Sequence, residues 1–139
     1  MNIIDEFLGM PVLVDPKLKH SFRDLDNKVG TIYSAPPGED YALVEFGQDG
    51  TAAFPIESLL VLRDRAKIRH DADYDSSFLS LDDYEEIMEI AGLIEHAELE
   101  SLKLAIRCSQ KNPVAMEYTM YTLPDALDLR RNQFISRKL

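Results

Sequence analysis

The pattern of apolar and polar positions changes period once along this chain. Up to about residue 63, apolar residues come in short alternating runs separated by clusters of Pro, Gly, Asp and Asn. Such runs predict β-strands joined by turns. From about residue 80 onward the apolar residues recur every three or four positions, which predicts helices.

In the first half, residues 5–8 suit a short helix or turn ended by Gly9, and Pro11-Val-Leu-Val suits a first strand stopped by Asp15-Pro16. Residues 17–28 are polar and mixed in charge, with Leu18, Phe22 and Leu25 as the large apolar residues, and are expected to form a long loop. Gly30 lies within a second strand and allows a bulge or a tight bend there. Pro36-Pro37-Gly38 cannot continue a ladder and predicts a turn. In the strand over 41–46, Ala42, Val44 and Phe46 share one face, while Tyr41, Leu43 and Glu45 share the other. Asp49-Gly50 signals a hairpin into a strand over 51–54, which Pro55 stops. A helical turn over 56–59 then leads to a last strand over 60–63.

Five short strands with a long first loop, tight middle hairpins and a helical turn before the last strand resemble the Src-homology-3-like small barrels, of Tudor and KOW type. The residues that carry the resemblance are Val29-Gly30-Thr31-Ile32, Ala42-Leu43-Val44-Glu45-Phe46, Asp49-Gly50, and Pro55 followed by Leu59 and Leu62. It covers residues 10–63. It implies a compact partner-binding barrel and no particular chemistry, because folds of this kind host many tasks.

Residues 67–79 are expected to be a charged linker between a barrel over 1–66 and a helical domain over 80–139. In that domain Ser80 suits an N-cap answered by Asp83. Leu81, Tyr84, Ile87, Met88, Ala91 and Ile94 follow helical spacing, and Gly92 offers a kink. A second helix is expected to run to about residue 110, and a third opens at Pro113 with Asn112 as cap and carries Val114, Met116 or Glu117, Met120 and Tyr121. A last helix is expected over 125–136. The fold class is therefore α+β: a small five-stranded antiparallel barrel followed by three to four helices.

Charge sharpens this picture. The chain has 139 residues and a net charge of −10. Residues 71–106 hold eleven Asp and Glu against one Lys, so the acid is concentrated in one block. Such a block repels a phosphate backbone and attracts a basic protein. Cys108 is the single cysteine, which excludes an internal disulfide and suits a cytoplasmic location. No apolar run approaches the length that spans a bilayer, so no membrane partner is expected.

Candidate chemistry is sparse. Asp71, Asp73 and Asp75 have alternate spacing suited to calcium, but Ser76 stands where the loop needs a glycine, so neither metal nor cofactor is expected. His20, His70 and His96 lack metal-ligand spacing. No nucleophile elbow or phosphate-cradling loop occurs, so no catalytic residue is assigned and the chain is not expected to be an enzyme. Tyr33 and Tyr41 are candidate partner-binding aromatics on the sheet. Glu85, Glu86 and Glu89 are candidate partner-binding acids on a helix. Lys17, Lys19, Arg23 and Lys28, with Arg63, Arg65, Lys67 and Arg69, form an alternative basic strip for nucleic acid. The function these features suggest is a non-enzymatic protein-interaction module, adaptor or regulatory, with an inhibitor of a basic partner as the alternative.

Overall fold

The computed structural model describes residues 3–15 and 28–138. The fold is α+β, with six strands and five α-helices among the described residues. It divides into two compact units: residues 1–61 with 122–139, and residues 62–121.

The strands are β1 (Pro11–Val14), β2 (Val29–Ser34), β3 (Tyr41–Glu45), β4 (Thr51–Pro55), β5 (Leu59–Leu62) and β6 (Met120–Thr122). Their order in the sheet is β4-β3-β2-β1-β5-β6. The sheet is open, which corrects the expectation of a closed five-stranded barrel. The sixth strand explains part of the difference. Pro124 is tolerated only in the first turn of a helix, so winding from Pro113 stops before it and Met120-Tyr121-Thr122 runs extended.

In the sheet unit, β1 pairs antiparallel with both β2 and β5 and is buried along its whole length. A strand with neighbours on both sides reads as a continuous apolar run, as Pro11-Val-Leu-Val does. Along β3, Ala42 and Val44 are buried while Glu45 is exposed, the alternation expected of the pleat. Phe54 is buried across from Ala42, and its ring meets Phe46 edge to face at 6.0 Å between centroids. Two irregularities flank Ile32. On one side Gly9, at φ +82°, donates to the Ile32 carbonyl at 2.8 Å, and the Ile32 N–H donates to Met10 O at 3.0 Å. Two residues thus oppose one, with glycine in the left-handed position, which defines a G1 bulge. On the other side Ile32 pairs with Val44 but Ser34 pairs with Leu43, so Tyr33 is the extra residue.

The last helix, α5 (Leu123–Lys138), belongs to this unit. Leu123, Ala126 and Leu127, in its first half, are buried. It packs against the 3-10 turns Ile3–Phe7 and Ile56–Ser58. Arg130 holds Glu6 at 3.4 Å and lies over the Phe7 ring at 5.9 Å.

The second unit contains α1 (Arg65–Tyr74), α2 (Leu81–Glu95), α3 (Leu99–Lys111) and α4 (Pro113–Thr119). The helix count exceeds the expected three to four because the charged stretch at 65–74 is itself helical. Its Ala, Arg and Lys favour helix, and Ile68 and Ala72, four apart, place one buried stripe against the core. Ile68, Ala72, Ile87, Ile90, Ala91, Ala105 and Ala115 form that core. Gly92 produces no break, since α2 is continuous through it. Ser80 caps α2 by accepting from Asp83 N at 3.1 Å, as the sequence predicts. Asn112 caps α4 through Val114 N and Ala115 N, and its Nδ2 donates to Asp83 at 3.0 Å.

Candidate functional site

The connection from α1 to α2 presents three large apolar side chains to solvent. Tyr74 ends α1 and is 81 % exposed, Phe78 lies in the 3-10 turn Ser76–Phe78 and is 86 % exposed, and Leu81 begins α2 and is 70 % exposed. Scattered exposed apolar residues are ordinary on protein surfaces, but three within eight residues at this exposure are not. Their neighbour Leu79 turns inward and packs on the helical core.

The α1 end of the connection is held by two phenols. Tyr84 Oη donates to Asp73 at 2.5 Å, and Tyr118 Oη donates to Asp75 at 2.8 Å. Both phenols are held above their usual range, first by these hydrogen bonds to carboxylates. Asp75 N donates to Asp71 O and Phe78 N to Asp75 O, so the turn is closed by its own backbone. The apolar side chains are therefore displayed on a hydrogen-bonded frame.

Carboxylates neighbour them along the chain. From Asp71 to Glu86 the chain carries seven Asp and Glu and no Lys or Arg. Helix α1 is charged against its own dipole, with Arg65 and Lys67 near its N-terminus and Asp71 and Asp73 near its C-terminus. Each such misplaced charge costs about 0.3–1 kcal/mol when exposed. Two cations of α1 are engaged within the unit. Lys67 pairs with Asp71 at 3.0 Å, and Arg69 pairs with Glu95 at 3.2 Å. Burial acts to raise the Asp71 carboxyl, but the hydrogen bonds and charges of Lys67 and His70 outweigh it and hold it below its usual range. Arg69 does the same for Glu95. Arg63 donates from Nε to Met120 O at 3.0 Å and lies over the Tyr121 ring.

The residues singled out in the sequence fall in both units. Tyr33, the bulged residue of β2, is 64 % exposed, while Tyr41 is half-buried opposite Pro55. Leu8 and Met10, beside the Gly9–Met10 bulge, are exposed as well. Glu85 and Glu89 are exposed on α2, and Glu86 is half-buried. Cys108 is half-buried, and its thiol is pushed up first by burial and then by the charge of Glu86. Asp71, Asp73 and Asp75 engage separate partners, and among the described residues no group of three or more His, Cys, Asp or Glu is placed to hold a metal ion. Lys28 pairs with Asp49 at 3.0 Å, whereas Lys17, Lys19, Arg23 and the rest of the expected loop lie outside the described residues. Among those residues, no helix is long and apolar enough to cross a membrane.

Tyr74 and Phe78 escape a reading by periodicity, because it assigns their segment to a linker. The signal was present in the sequence: two aromatics in an acidic stretch whose solubility they only diminish. Leu81 fits the apolar stripe of α2 by spacing but precedes the first buried turn.

No protein-family model, no curated protein and no solved structure matches this chain.

Proposed function

We propose that this chain is a non-enzymatic protein-interaction module, and that its helical unit carries the principal binding surface at the α1–α2 connection. The observation that carries this reading is the exposure of Tyr74, Phe78 and Leu81 on a frame fixed by Tyr84 and Tyr118. Covering one such side chain is worth about 1.5–3 kcal/mol, and a rigid display lowers the ordering cost of binding. Aromatic anchors ringed by polar groups are the usual energetic centre of an interface.

The sheet unit we read as a relative of the Src-homology-3-like barrels. The order β4-β3-β2-β1-β5, the pairing of β1 with both β2 and β5, and the turn Ile56–Ser58 before β5 support that reading. Its exposed Tyr33 supports a second contact area, since bulges commonly re-aim a side chain toward a ligand.

The test is a photo-crosslinking amino acid placed at position 78 of the full chain in its native host, with position 39, an exposed turn residue of the sheet unit, as control. A discrete protein adduct is expected at 78 and not at 39. Absence of any adduct at 78 removes the proposal.

A further inference from the structure

The chemistry around the α1–α2 connection also defines what binds there. We infer that this surface takes a cationic amphipathic segment of a partner protein, one that places apolar side chains on Tyr74, Phe78 and Leu81 and Lys or Arg among the neighbouring carboxylates. The inference rests on the interaction-module reading and specifies its partner.

Two independent observations meet at this surface. The first is apolar: three large side chains stand mostly in water although the unit has a well-formed core close by in sequence, with Ile68, Ala72 and Ile87 fully buried. The second is electrostatic. Asp73, Asp82 and Glu85 are exposed, in a segment that carries no Lys or Arg from Asp71 to Glu86. Asp71 and Asp73 also lie toward the C-terminus of α1, whose backbone carbonyls already favour a cation. Apolar anchors alone select no partner, and carboxylates alone are an ordinary solvated face. The combination selects a segment that is apolar on one side and positive on the other.

The same charge argues against other occupants. A second copy of this face would bring the exposed Asp73, Asp82 and Glu85 against their own copies, and an anionic lipid surface or nucleic acid would be repelled likewise.

The full chain should be titrated with three peptides of one length: a Leu/Lys amphipathic helix, its Leu/Glu counterpart, and a Ser/Lys peptide carrying the charge of the first. The Leu/Lys peptide should bind, the Ser/Lys peptide should bind about tenfold more weakly or worse, and the Leu/Glu peptide should not bind. Phe78→Ser should weaken Leu/Lys binding by about tenfold or more. Asp82→Asn with Glu85→Gln should slow association and flatten its salt dependence, while Glu39→Gln in the sheet unit should change neither. Failure of the Leu/Lys peptide to bind, equal binding of the Leu/Glu peptide, or binding indifferent to Phe78→Ser overturns the inference. A crosslinked partner at position 78 without Leu/Lys binding overturns the cationic partner and leaves the interaction-module reading standing; loss of both removes the two together.

Discussion

Tyr118 and Asp75, 43 residues apart in sequence, are joined by a 2.8 Å hydrogen bond from the phenol to the carboxylate. Asp75 is the C-cap of α1, so this bond ties the end of that helix to α4, and Tyr84 ties Asp73 to α2 in the same manner. Between these two anchors and the Ser80 cap the chain has little freedom, and that stretch carries Tyr74 and Phe78.

Removing either phenol hydroxyl should loosen the display. Tyr118→Phe and Tyr84→Phe keep the rings and each delete one bond to a carboxylate. Each should lower the urea midpoint without changing the slope of the transition. Hydrogen exchange at residues 74–79 should rise in both variants. Unchanged exchange there would show that the frame does not depend on these bonds.

Stability of the helical unit should fall at both ends of the pH scale. Asp71 and Glu95 have carboxyls held below their usual range, so their contribution is whole above the unfolded carboxylate value and disappears as pH falls through the lower folded value. Tyr84 and Tyr118 have phenols held above their usual range, so theirs is whole below the unfolded phenol value and disappears as pH rises through the higher folded one. Urea midpoints at neutral pH, about pH 3 and about pH 11 should trace both losses. The Tyr84→Phe/Tyr118→Phe variant should shrink the alkaline loss, and Lys67→Met/Arg69→Met the acid one.

Gly30 is fixed by its surroundings and not by its backbone angles. A Cβ there would stand 2.5 Å from Val44 Cγ1, 2.8 Å from the Glu45 carbonyl oxygen and 2.9 Å from Phe46 Cε1. The carbonyl belongs to the neighbouring strand and cannot swing away as a side chain can. Gly30→Ala should therefore cost about 3 kcal/mol or more in thermal or urea unfolding. Gly38→Ala meets no atom and tests only the left-handed backbone, so it should cost less, about 1 kcal/mol.

The strands were legible because the runs of the first half alternate or are continuously apolar, and clusters containing Pro, Gly or Asp separate most of them. The Ser80 and Asn112 caps were legible because capping is a local event between neighbours in sequence. Three things were not. Helix α1 buries only Ile68 and Ala72, so a charged exterior masks its period. Strand β6 takes its conformation from a proline beyond it. The docking surface is defined by side chains the core leaves out, and periodicity reports the side chains it takes in. Composition gave the acid; exposure of Tyr74, Phe78 and Leu81 required the fold.

The most direct test of the proposed surface needs no partner. Tyr74→Ser/Phe78→Ser should leave the free energy of unfolding within about 0.5 kcal/mol of the parent chain, because these rings stand in water. Phe54→Ser, a buried reference in the sheet unit, should cost about 3–5 kcal/mol. A loss above about 2 kcal/mol in the Tyr74/Phe78 variant would place those rings in the core and contradict the surface on which the proposed function stands.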